Sequence, residues 1–137
     1  MRSYETDYYG WAEDTARAIC NGEWSAINRA ALADEVDDLK KRIESQIESR
    51  LRVLLTHLLK IRYQPGKQTR SWDLTILEQR HRIARILRDN PSVRPVLAQI
   101  LADAYGDARI RAAKETDIAL DVFPEENPFT DQEIWGE

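Results

Sequence analysis

His57, Tyr63 and Arg80 are the side chains through which this sequence could move a proton or grip an anion. An imidazole titrates near neutrality, a phenol both donates and accepts, and a guanidinium presents a planar fork to carboxylate or phosphate. Arg50, Lys60 and Gln64 lie on the same stretch of chain, and the run RYQPGKQTRSW (62–72) adds Lys67, Arg70, Ser71 and Trp72. Together these form the candidate binding set. No catalytic residue, metal ligand or cofactor is assigned.

The run at 62–72 has two readings. As a turn, Pro65 stops one helix, Gly66 can take the left-handed conformation that closes it, and Ser71 caps the next helix. Asp73 then sits well in that helix's first turn. As a site, the free amides of residues 71–73, with Lys67 and Arg70, would hold a phosphate or carboxylate. Asp73 would compete with such a ligand, so the turn reading is preferred.

A second group is polar where helical spacing calls for burial. Gln46, Arg50 and His57 line one edge of an apolar stripe, with Glu35 and Gln64 near it. Gln79 and Arg80 fall inside the next stripe, and Asp107, Arg111 and Glu115 edge the one after. Unpartnered buried polar groups cost about 1–3 kcal/mol each, so these should find one another. They form either a register-fixing network or a ligand pocket, and the network is the preferred reading.

Familiar enzyme signatures are missing. The chain has two histidines and no pair of Glu-x-x-His motifs, which a carboxylate-bridged dimetal bundle needs. One cysteine, Cys20, permits no zinc-finger spacing and is expected to be a small buried residue. There is no phosphate-cradling glycine loop and no nucleophile elbow. The acidic run DEVDD (34–38) reads as a solvated helix start facing Lys41 and Arg42.

The elements that must position these residues follow from apolar spacing. Leu32, Val36, Leu39, Ile43, Ile47, Leu51, Leu54, Leu58 and Ile61 recur every 3.6 residues or so, with no glycine or proline among them. That is one helix of about thirty residues. Trp72, Ile76, Ile83 and Leu87 make a second stripe. Val93, Leu97, Ile100, Ala104, Ala108 and Ala112 make a third, with Asn90 as N-cap and Pro91 at the first helical position. Tyr8, Trp11, Thr15 and Ile19 indicate a shorter helix stopped by Asn21-Gly22, and a helical turn is expected at 23–28. In the tail, Pro124 and Pro128 forbid a continuous helix, while Thr130 and Glu133 have capping-box spacing. Phe123, Phe129, Ile134 and Trp135 are expected to pack on the bundle or on a second copy, self-packing being preferred.

The predicted fold is all-α: a helical bundle on one long central helix (about 32–63) with antiparallel partner helices and a wrapped C-terminal tail. It is read as a single helical domain over 1–137, with helices at about 5–20, 31–63, 72–89 and 91–116 and a tail at 121–137. The net charge of −4 hides segregation: residues 1–39 hold three basic and nine acidic side chains, residues 40–88 thirteen and four, and residues 89–137 four and eleven. Acidic ends folding onto a basic middle is preferred over a nucleic-acid surface. No apolar run suits a signal or a membrane span, so a soluble cytoplasmic protein is expected.

An ordered string of motifs adds to this reading. LADEVDDL (32–39), LLTHLLKIRYQP (54–65), RSW (70–72), TILEQRHRI (75–83), NPSVRPVL (90–97), AYGDARIRAAKET (104–116) and FPEENPFT (123–130) cover nearly the whole chain. The string resembles the bacterial family called domain of unknown function 29. The resemblance implies a compact helical fold in a cytoplasmic bacterial protein and carries no activity, substrate or catalytic residue. Ala31-Leu32 stands where that family usually shows Asn-Leu, so Asn28 is the expected cap instead.

The leading functional expectation is a non-enzymatic binding or protein-interaction module, dimeric through its apolar tail in one form. Two alternatives stay open: a nucleic-acid or polyanion-binding regulator using the basic 40–88 segment, and an enzyme with its site around His57, Tyr63 and Arg80.

Overall fold

A run of apolar residues at helical spacing without glycine or proline should form one uninterrupted helix, and it does. The computed structural model describes residues 1–136. In it the chain forms α1 (Tyr8–Cys20), α2 (Arg29–Tyr63), α3 (Arg70–Asp89), α4 (Leu97–Thr116) and α5 (Asp131–Trp135). No strand occurs among the described residues. The chain gathers into two compact units, Met1–Arg42 and Ile43–Glu137, and α2 contributes residues to both.

In the first unit, Asp7 caps α1 by accepting from the Gly10 amide at 2.9 Å. Gly22, with φ 70°, helps turn the chain beyond Asn21, as the Asn-Gly pair predicts. Residues 24–26 form the expected helical turn, here a 3-10 turn. Asn28 then starts α2, its side chain accepting from the Ala31 amide at 3.1 Å. The unit's buried core is slim: Trp11, Thr15, Ala18 and Ala31, with Tyr4 edge-on to Trp11 at 4.6 Å. Arg2 crosses Gly10 to reach Asp14 at 2.9 Å, and a β-carbon on Gly10 would stand 2.6 Å from that arginine. Cys20 is exposed, not buried as expected. It lies about 200° around the helix from Ala18, so the face that buries one turns the other to water.

The second unit is built around the later half of α2. Ile47, Leu51, Leu54, Leu55 and Leu59 are fully buried, and Ile43 and Leu58 pack against them. Ile76, Ile83 and Leu87 of α3 join that core, as do Ile100, Ala104, Tyr105, Ala108 and Ala112 of α4. Lys60 meets Trp72 while Arg50 meets Gln79, so α3 runs back along α2. Lys60 also meets Glu115, and Gln64 reaches the Thr116 carbonyl, so α4 ends where α2 ends.

Three boundaries differ from the expectation. Thr69, not Ser71, caps α3, its side chain accepting from the Trp72 amide; Ser71 lies inside the first turn, where its carbonyl accepts from Thr75. Gly66 has no positive φ, because Pro65–Lys67 reverses the chain as a 3-10 turn that needs none. Residues 91–96 are 3-10, and α4 begins only at Leu97. Pro95 has no N–H to give an α-turn and its ring crowds the preceding turn, so the tighter helix forms first. Asn90 accordingly does not cap α4 through its side chain; its amide donates to the Ile86 carbonyl at the end of α3, at 2.9 Å.

The tail packs on its own unit. Phe123, Phe129 and Ile134 enter the core, and Thr130 with Glu133 forms the predicted capping box of α5. Tyr105 donates to the Pro124 carbonyl at 2.6 Å and Arg109 to that of Phe123 at 3.1 Å. The tail aromatics thus pack within their own unit, as the preferred expectation has it: Phe123 and Phe129 are buried and Trp135 is half-buried. If the tail is a working part of this core, Ile134→Ala should cost about 2–5 kcal/mol of unfolding free energy. Urea titration reads this directly, and an unchanged midpoint would show the tail to be an accessory.

Candidate functional site

The structure gives most of the sequence-predicted site residues separate partners. Arg50 donates to the Gln79 carboxamide at 3.3 Å. The His57 Nδ1 lies 2.8 Å from the Val53 carbonyl, and its ring meets Trp72 edge-on at 6.3 Å. Lys60 sits over the Trp72 ring at 4.5 Å and 3.7 Å from Glu115. Tyr63 packs edge-on to Phe123 at 4.8 Å, and Gln64 donates to the Thr116 carbonyl at 3.3 Å. Arg80 donates to the carbonyls of Glu133 and Ile134 at 2.6 and 2.9 Å, satisfying backbone acceptors in α5.

His57, Lys60 and Trp72 are thus brought together, and Arg50 with Gln79. Among the described residues no hydrogen bond or ion pair joins His57, Tyr63 and Arg80. Lys67, Arg70 and Ser71 are exposed, and the Trp72 and Asp73 amides are already taken by the Thr69 carbonyl at 3.1 and 3.3 Å. Glu35, expected beside the polar seam, instead accepts from two tyrosines of the first unit. Among the described residues no three histidine, cysteine, aspartate or glutamate side chains gather as metal ligands would.

The concave surface that spacing alone did not reveal lies within the first unit. Val36 and Leu39 continue the apolar stripe of α2, yet they are 58% and 53% exposed. With Leu32 they form one wall of a groove of about 330 Å³ whose other wall is Tyr8, Trp11 and Ile19 of α1. Tyr8 and Ile19 are themselves exposed, so the predicted α1 stripe is buried only at Trp11 and Thr15. A signal for this existed. Val36 and Leu39 are hemmed by Asp34, Glu35, Asp37 and Asp38, which leaves an apolar stripe too narrow to require burial.

One carboxylate holds the groove's rim. Glu35 accepts from Tyr4 at 2.6 Å and from Tyr8, and Arg42 lies 3.8 Å away. Hydrogen bonds from the two phenols hold the Glu35 carboxyl below its ordinary value. The same bond pushes the Tyr4 phenol up to about 12. Nearby, the hydrogen bonds from Arg2 hold Asp14 far below the carboxylate range.

A family model described as "Domain of unknown function DUF29" matches residues 3–137. The chain belongs to this family. No curated protein and no solved structure matches the chain. In this DUF29 chain the run LADEVDDL therefore supplies one wall of an open groove, whereas LLTHLLKIRYQP supplies buried core and local hydrogen bonds.

The directions of the Glu35 and Tyr4 shifts give this DUF29 unit a two-sided pH dependence. The lowered Glu35 value makes its stabilisation complete above pH 4.5 and lost as pH falls through the folded value. The raised Tyr4 value makes its stabilisation complete below pH 10.0 and lost as pH rises toward about 12. Glu35→Gln should remove the Glu35 share of the acid limb, leaving that of Asp14. The Trp11 indole resonance followed from pH 2 to pH 7 reads this, and identical profiles for both proteins would refute it.

Proposed function

We propose that this DUF29 chain is a non-enzymatic protein-interaction module whose groove between α1 and the first half of α2 receives an amphipathic helix with basic flanks. The observation that carries the reading is the exposure of Val36 and Leu39 in register with residues that are buried farther along the same helix. Exposed apolar surface of this kind, set between polar borders, is what helix-in-groove recognition uses. Two helices packed on a slim core leave room for a third, which would cover Leu32, Val36 and Leu39 from one side and Tyr8 and Ile19 from the other.

Charge selects the partner's chemistry. Residues 1–39 carry nine acidic and three basic side chains, so a helix flanked by lysine and arginine is favoured over an acidic one. The exposed thiol of Cys20 suits a reducing, cytoplasmic setting.

The test uses a synthetic helical peptide with leucines at i, i+3 and i+7 and lysine or arginine flanks, alongside a version with glutamate flanks. The basic peptide should bind the intact chain, and the acidic one more weakly. Val36→Asp with Leu39→Asp should weaken binding at least about tenfold, since it sets charge in the apolar contact. Both positions are exposed, so the fold should tolerate the change. Equal binding of the two peptides, or none, would refute the reading. So would a concentration-dependent dimer in sedimentation that the same double substitution abolishes, because the groove would then serve a second copy.

A further inference from the structure

In the Ile43–Glu137 unit, Ser45, Ser49, Arg50, Arg52 and Val53 of α2 face Gln79 of α3 across a cleft of about 380 Å³. Gln46 completes the lining, which contains no carboxylate. Spacing explains the strip: residues 45, 49 and 53 follow one another at i+4, so two hydroxyls and a valine stack along one side of the helix. Arg50 and Arg52 flank that strip on either side.

The two guanidinium groups are under-partnered. Of the fifteen arginines, Arg2, Arg17, Arg42, Arg62, Arg82 and Arg88 lie within 4.0 Å of a carboxylate, and nine, among the described residues, do not. Arg50 and Arg52 belong to the second group. The one side-chain bond of Arg50 is to the neutral Gln79 oxygen at 3.3 Å. The Arg52 Nε is buried with no hydrogen-bond partner. A buried charged donor left unmade is costly, and an oxyanion is its natural complement. Glu48 stands one turn before Arg52 without pairing to it. A neighbouring depression that shares Arg52 holds Asp107 and Glu115 with Arg111 and Lys114, so its two carboxylates have two other cations beside them, and Glu115 is engaged by Lys60.

The geometry points to a binding site for the phosphoryl group of a small phosphorylated molecule. Arg50 and Arg52 would grip two of its oxygens and the Ser45 and Ser49 hydroxyls would donate to the others, with Val53, Gln46 and Gln79 meeting the rest of the ligand. A tetrahedral phosphoryl group accepts from several directions at once, which suits donors on both sides of a strip. A planar carboxylate would be served by one guanidinium fork. The site shares no residue with the helix-binding groove and stands or falls apart from it.

The test follows the Arg Nε–H and backbone amide resonances of the intact chain while inorganic phosphate, O-phosphoserine or succinate is added at constant ionic strength. Phosphate and phosphoserine should shift the Arg52 Nε–H and the Ser49 amide saturably, phosphoserine more tightly. Arg52→Met and Arg50→Met should each weaken binding about tenfold or more. Ser49→Glu, at an exposed position, should abolish binding while leaving the remaining spectrum in place. Three results would overturn the assignment: equal or tighter binding of succinate, shifts that spread over the basic segment without saturating, or phosphoserine affinity unchanged in Ser49→Glu.

Discussion

Leu54 and Thr56 are two residues apart, hence roughly 200° apart around α2, and both are sealed from water. A helix sealed on opposite sides cannot lie on a surface; it must run through a core. That requirement organises the Ile43–Glu137 unit. It explains why Leu55 and Leu59, outside the 3.6-residue stripe, are as buried as Ile47 and Leu51 inside it. It also explains the Thr56 hydroxyl, which, buried in that core, donates to the Arg52 carbonyl at 2.6 Å.

Enclosure sets the task of the polar groups around that core. Arg80 and Arg109 direct their donors to backbone carbonyls of the tail, and Gln64 does the same at the end of α4. Arg62 binds Glu133 at 2.7 Å and covers the Phe129 ring at 4.4 Å. A tail with two prolines cannot satisfy its own carbonyls through a long helix, so side chains of α3 and α4 complete several of them. The basic middle of the chain is thereby partly occupied in holding the acidic last third, which weakens the case for that segment as a continuous polyanion surface.

The long helix, the three stripes, the Asn21-Gly22 stop and the capping box at Thr130 were legible because each depends on a few neighbouring residues. What was not legible depends on tertiary enclosure or on backbone choice among near-equal options. Thr69 and Ser71 are both good caps two residues apart, and only the turn geometry decides between them. Periodicity assigned Val36 and Leu39 to the core as firmly as Ile47, because spacing reports which face a residue occupies and not whether anything covers it. The polar seam was expected to be one cluster. It is several short pairings, since a carbonyl close at hand satisfies a buried donor as well as a distant side chain does.

α2 therefore carries one stripe with two fates. From Ile43 to Ile61 the stripe is answered by α3, α4 and the tail, and towards its end Leu55 and Leu59 widen the buried face beside it. From Leu32 to Leu39 the flanks are carboxylates, which burial would have to neutralise or pair; Glu35 accepts from two tyrosines, while Asp37 and Asp38, among the described residues, meet only the exposed Lys41. Closing a core over that stretch would strand charge. Leaving it open costs some exposed apolar area, which a partner able to supply both a greasy face and positive flanks would recover. On the proposed reading, the stretch least suited to an internal core is for that reason the one offered to an external one.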